Sequence, residues 1–258
     1  MTKITFKQYI LVTILFFMGL NFAFSQQTNI NRKPEYMKFD VQYGILDGGQ
    51  VEIKVDTGLQ YIDGKVCHKI GMWAQTVGMV GWFSKINNEW YSLVDTTTKL
   101  PYKFVRNIQE NNYRLKEVST YDRAKSEVFV STQTDTSEFK VNFYKTSAFA
   151  HDLVSAYFAF RFYDFADVRK KDTLSIPVFI EDKQYIFKMR YIGKKKIKTI
   201  FGKKTKAIVI SPIMPPNKMF KSGDDIRAYF SDDEFKIPLK MEAELVVGSI
   251  EAELKEYR

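Results

Sequence analysis

Few residues in this chain have the type and spacing to do chemistry. His151 and Asp152 are neighbours, and a carboxylate beside an imidazole can orient the ring and raise its basicity for acid–base work. Adjacent residues on a helix point in different directions, however. Asp is also strongly preferred at helix starts, so Asp152 reads as a cap and His151 as its flank. Ser155 falls inside the same stretch without the Gly-x-Ser-x-Gly turn that exposes a hydrolase nucleophile, and it reads as structural. Cys67 and His68 sit next to each other on an expected strand and therefore face opposite sides. With one cysteine and two histidines in the whole chain, the composition argues against a dedicated zinc site. The acids Asp224, Asp225, Asp232, Asp233 and Glu234 do not follow the spacing of an EF-hand loop; turn formation explains them more simply. No Walker-type phosphate loop is present. No catalytic residue, metal ligand or cofactor is therefore assigned.

Two stretches have the chemistry of binding. Between Val77 and Phe83, glycines alternate with large apolar groups where a polar loop is expected, so something should cover this loop. Met79, Val80, Trp82 and Phe83 suit the lip of an apolar cavity, with Tyr157 and Phe160 as further candidates for its wall. The same loop could instead close the end of the core, because glycines also permit close packing; the two readings stand side by side. The second stretch is a lysine-rich hairpin carrying Lys194, Lys195, Lys196, Lys198, Lys203 and Lys204. It could hold an anionic surface, at about 1 kcal/mol for each basic residue near an anionic membrane. Lysines on an exposed hairpin also prevent edge-to-edge aggregation, and that reading has the advantage.

These residues must be positioned by a chain that reads almost throughout as β-strand. Met37, Phe39, Val41 and Tyr43 alternate with polar residues, and the alternation resumes at Val51, Ile53 and Val55 after a glycine-rich turn, as in a half-buried antiparallel hairpin. Asp63-Gly64 and Asn111-Asn112 carry turn chemistry between further short strands. The principal expected helix runs from His151 to Tyr163, with Leu153, Ala156, Tyr157 and Phe160 on one covered face. The expected fold is mainly β: a curved antiparallel sheet forming a barrel or open half-barrel, with this helix packed against or inside its concave side. No repeat or linker divides it, so residues 36–258 are expected to form one domain after a flexible lead-in at 26–35.

The chain opens with Lys3 and Lys7, an apolar run from Tyr9 to Phe24, and Ala23-Phe24-Ser25 before Gln26. This is the pattern of a secretory signal peptide over residues 1–25, cleaved before Gln26, and the run is short for a spanning helix. The expected location is the periplasm or cell envelope. The formal charge is +9, and removing the two leader lysines lowers it to +7, which favours anionic partners. Export makes nucleic acid an unsuitable partner. The single cysteine excludes an intramolecular disulfide, so the core must supply the stability.

Several fragments then align with a known family. They are Tyr43-Gly-Ile-Leu-Asp-Gly-Gly49, Val94-Asp-Thr-Thr-Thr-Lys-Leu-Pro101, Asp152-Leu-Val-Ser-Ala-Tyr157 with Arg161, Asp232-Asp-Glu-Phe-Lys-Ile-Pro238, and Val247-Gly-Ser-Ile-Glu-Ala-Glu-Leu254. Together they resemble the bacterial envelope family called domain of unknown function 3108, over most of the expected mature chain. The resemblance implies an exported β-rich protein with no assigned reaction; the basic 194–206 hairpin departs from it. The reading is a noncatalytic binding or scaffold module for a lipid, another amphiphile or an envelope protein, with peripheral contact to an anionic surface through the lysines. The alternative is a hydrolase acting on glycan or lipid, which requires His151 and the Asp232-Asp233 turn to converge in one cleft.

Overall fold

The computed structural model describes residues 33–135, 137–213, 225–246 and 248–258. The expected leader and cleavage site, most of the expected lead-in, Asp224 and the Pro-rich loop beyond Ile213 lie outside the described residues. The strands are β1 (Glu35–Tyr43), β2 (Leu46–Ile62), β3 (Lys65–Thr76), β4 (Asn87–Asp95), β5 (Pro101–Glu110), β6 (Tyr113–Asp122), β7 (Glu127–Thr134) and β8 (Lys140–Lys145), then β9 (Thr173–Ile180), β10 (Lys183–Thr199), β11 (Gly202–Pro212), β12 (Ile226–Ser231), β13 (Pro238–Glu244) and β14 (Ser249–Tyr257). Two helices accompany them among the described residues: α1 (Val80–Phe83) and α2 (Leu153–Phe160).

All fourteen strands of the described residues belong to one antiparallel sheet, ordered β8-β7-β6-β5-β4-β3-β2-β1-β14-β13-β12-β11-β10-β9. The first eight strands form one meander and the last six another, and β1 pairing with β14 joins them. Helix α2 links the two outer strands, so it separates two sheet-forming halves of a single sheet. Alternation sets the register: Met37 lies opposite Ile53 and Phe39 opposite Val51, and all but half-buried Val51 are buried. Asp63 and Gly64 both take positive φ, 50° and 75°, as a two-residue hairpin turn of the kind Asp-Gly favours requires.

The sheet does not close by strand pairing, but it curls until its two ends meet through side chains. Phe179 on β9 contacts the rings of Tyr144 on β8 and Tyr121 on β6, at centroid distances of 5.8 and 6.5 Å. Gln184 accepts hydrogen bonds from Thr146 Oγ1 and the Ser147 amide, while Arg106 on β5 reaches Glu181 at 3.1 Å. The chain entering α2 covers the edge of β9: His151 donates its amide to Pro177 and accepts from the Phe179 amide, a one-residue parallel bridge. Among the described residues strand β8 pairs on one side only, with β7, and Lys140 and Lys145 flank it as lysines commonly flank edge strands.

Helix α2 lies inside the curl, in contact with β3, β4 and β9. It is shorter than the expected 151–163 segment because the chain tightens to i→i−3 bonds from Arg161 to Tyr163. The buried set also differs from the expected stripe. Val154, Ser155, Ala156, Phe158 and Phe160 are buried, while Leu153 is 36% exposed. A helix surrounded by sheet needs cover on most sides, so a one-face pattern underestimates what it buries. Its C-terminal half packs into the main aromatic core, where Phe160 meets Phe230 at 5.1 Å and Phe165 at 5.3 Å, beside Leu174, Tyr191, Ile208 and Ile210.

Candidate interaction surface

The polar groups at the two ends of α2 are anchors. Asp152 is fully buried and caps the helix: its carboxylate accepts from the Ser155 amide at 2.7 Å and from Ser92 Oγ on β4 at 2.7 Å. Ser155 completes a capping box by accepting the Asp152 amide at 3.0 Å. Burial raises the Asp152 pKa to about 6, against the opposing pull of those hydrogen bonds. His151 lies with Nδ1 3.3 Å from Ser155 Oγ, and burial together with the Arg123 charge lowers its pKa to about 4. It is therefore neutral at pH 7. Arg123 donates to the carbonyls of Ala148, Ala150 and Pro101 and lies over the Tyr121 ring, which ties the approach to α2 onto β5 and β6.

At the other end Arg161, 1% exposed, forms a two-pronged pair with Glu35 at 2.7 and 2.9 Å. It also donates to the Phe235 carbonyl, and Tyr257 Oη donates to Glu35. One cluster thus joins the first strand, the helix, the β12–β13 loop and the last strand. Asp233 shapes that loop by accepting from Ser231 Oγ and from the amides of Phe235 and Lys236. Asp232 instead pairs with Lys194 at 2.8 Å. His151 and the Asp232-Asp233 turn are thus committed to separate structural contacts. Among the described residues no cluster of three or more His, Cys, Asp or Glu is placed to hold a metal ion.

The lysine hairpin is built from β10 and β11, with Lys194, Lys195, Lys196, Lys198, Lys203 and Lys204 all exposed and Lys196 directly opposite Lys206. Near its tip Phe201 packs on Tyr257, 5.8 Å between ring centres, at the end of β14. A cleft of about 500 Å³ is lined in part by Leu100, Pro101, Tyr102, Phe129, Lys65 and Arg123. Its charged groups already have partners: Arg123 holds the three carbonyls, Asp95 accepts from the Thr97 and Thr98 amides, and Lys65 lies over Tyr102.

The opposite end of β14 is different in kind. Three turns meet there and are stitched together by their backbones. The Gly44 amide bonds to Ser249 O at 2.9 Å, linking the β1–β2 and β13–β14 turns, and the Val77 amide bonds to Gly48 O at 3.3 Å, linking β2 to the loop before α1. A Cβ at Gly248 would come within 2.9 Å of the Tyr43 hydroxyl, so only glycine lets that ring lie so close. Helix α1 buries none of its residues. Ile45 is 97% exposed, Trp82 81% and Phe83 87%; Tyr43, Leu46, Met79 and Val246 are exposed as well. The loop that the sequence led us to expect covered is open, because the adjoining turns pack against its backbone and leave its side chains free.

Met79, Val80, Trp82 and Phe83 therefore sit on this rim, whereas Phe160 is in the aromatic core and the partly buried Tyr157 ring packs against it beside Phe230. The two groups do not share a surface. Ile45, Leu46 and Val246 join the rim without having been singled out from sequence. An Ile-Leu pair held between Gly44 and Asp47 in a tight turn was the available signal, since two adjacent apolar residues at a hairpin tip cannot both turn inward.

These features define a class: an open, barrel-like antiparallel sheet with a helix held inside it by buried polar anchors. A family model described as "Protein of unknown function (DUF3108)" matches residues 38–255, and the chain belongs to that family. Among solved structures it is similar to a beta-barrel-like protein of domain of unknown function DUF1849 from Brucella abortus, with 9% identity and a TM-score of 0.56 over 87% of this chain and 97% of that one. At that identity the likeness concerns the fold alone. No curated protein matches.

Proposed function

We propose that this protein is an exported, noncatalytic envelope module that docks an apolar or amphipathic partner on the rim formed by its β1–β2, α1 and β13–β14 turns. The observation that carries this reading is the set of large apolar side chains left exposed on turns whose backbones are fixed to one another. Contiguous exposed apolar groups mark interaction sites far more often than scattered ones do. Export is supported by the leader pattern, and N-terminal sequencing of protein from the envelope fraction should begin at Gln26.

The direct test is photocrosslinking in the cell, with a benzophenone amino acid replacing Phe83 on the rim or Phe201 on the opposite hairpin. The expected result is adducts at position 83 and none above background at 201. Adducts at 201 alone, or equal yields at both, would place the docking surface elsewhere.

A further inference from the structure

We infer that the partner on the rim is the surface of a lipid bilayer, entered by Trp82 and Phe83 together with Ile45. The inference rests on the docking reading above and adds the chemistry of the partner. Its first ground is shape. A single amphiphile needs a concave site that covers most of its surface. Here the exposed groups project from the ends of turns, on a helix that buries none of its residues, and the cleft of about 500 Å³ beside Pro101 and Arg123 is lined by other residues.

The second ground is charge. Along the described parts of the three turns, residues 43–48, 77–85, 245–246 and 248–249, the only charged side chains are Asp47 and Lys85, one of each sign. Such a tip enters the layer between head groups and acyl chains without carrying a buried net charge with it. Aromatic residues are the side chains favoured in that layer. Insertion of about 5–10 Å, as for other interfacial segments, would take in Trp82 and Phe83 and leave the strands outside.

Position supplies a third ground. The lysine hairpin lies near the far end of β14, roughly 20–30 Å along the strand from the rim at 3.3 Å per residue, beyond the Debye length of about 8 Å at physiological salt. With the rim inserted and β14 rising away from the bilayer, the lysines stand beyond that screening length from the head groups. Binding through the rim should need no anionic lipid and should change little with salt.

The test is flotation of the processed protein with phosphatidylcholine vesicles, and in parallel with vesicles containing phosphatidylglycerol, at physiological salt. Wild-type protein should float with both. The double variant Trp82→Ser/Phe83→Ser should lose about 100-fold in partitioning, and Ile45→Ser, on a different turn, about tenfold. Both should keep the wild-type thermal midpoint, and Lys195→Glu/Lys196→Glu should float as wild type does. Failure to float with either vesicle, while position 83 still crosslinks to a protein in the cell, would overturn the lipid assignment and leave the docking reading standing. Loss of both flotation and crosslinking would remove both. Flotation that requires phosphatidylglycerol and disappears in the lysine variant would move the contact to the hairpin.

Discussion

The inside of the sheet and its rim use similar side chains to opposite ends. Inside, Phe160, Phe165 and Phe230 pack ring against ring, and the charged groups at the ends of α2 have hydrogen-bond partners. At the rim, Trp82 and Phe83 are among the most exposed large residues of the described chain, on a short helix that buries nothing. The difference separates side chains that hold the fold from side chains that the fold leaves exposed. Among the described residues the fourteen strands do not close by pairing; the helix with its anchors and the contacts of β9 with β6 and β8 tie the curl together, and the exposed rim side chains take no part in them.

The largest effect is expected at Arg161. Truncating one member of a buried pair leaves the other charge without compensation, at about 3–5 kcal/mol. Arg161→Met should therefore lower stability to urea by that amount, and Arg161→Met/Glu35→Met should recover a large part of it. A single variant within 1 kcal/mol of wild type, on the order of an exposed pair, would mean that the anchor does not hold the curl.

The other end of α2 makes a pH prediction. Asp152 has a folded pKa of about 6, above the unfolded value of about 3.9. The native state then binds more protons between these values, and this group's contribution to stability falls as pH rises from about 4 to 6. His151 has a folded pKa of about 4, below the unfolded value of about 6.5. Over nearly the same window its contribution rises with pH. Each effect is about 3 kcal/mol at 1.36 kcal/mol per pKa unit, and the two oppose each other. Wild-type stability should be almost flat from pH 4 to 6.5 as far as this pair is concerned. Denaturant titrations of Asp152→Asn should show stability rising with pH through that range, and those of His151→Gln should show it falling. Parallel profiles for the two variants would contradict the burial of this cluster.

Smaller effects belong to the exposed regions. Trp82→Ser and Phe83→Ser should each change unfolding free energy by no more than about 0.5 kcal/mol, the usual range for surface positions. Lys196→Glu should slightly stabilise the hairpin by removing the like-charge contact with Lys206, by a few tenths of a kcal/mol. Thermal melts of the three variants check both statements.

Much of the fold was legible because alternation and turn chemistry act locally. Met37, Phe39 and Asp63-Gly64 declare strands and a turn within a few residues, and Asp152 marks the helix start. The family fragments turn out to carry the anchors: Asp95 shapes the loop that ends at the Pro101 carbonyl, where Arg123 binds, and Asp233 shapes the loop that presents the Phe235 carbonyl to Arg161. The pairing of Arg161 with Glu35 was not legible, because 126 residues separate them and no local pattern encodes such a contact. The rim was legible only in part. Trp82 and Phe83 stand out from sequence, but their union with Ile45 and Val246 depends on β1 lying between β2 and β14. Tyr157 and Phe160 illustrate the converse, since an aromatic on a helix carries no sign of whether it faces a cavity or fills a core.

The division between inside and rim can be measured directly with cysteines at Phe83→Cys and Phe201→Cys, because the native Cys67 is fully buried and its thiol pKa is raised chiefly by burial. Maleimide labelling rates would be compared between purified protein and intact envelopes. Position 83 should react severalfold more slowly in the envelope than in the purified protein, while position 201 reacts at the same rate in both. Equal rates at position 83 in the two preparations would mean that nothing covers the rim where the protein works, and would contradict its assignment as the docking surface.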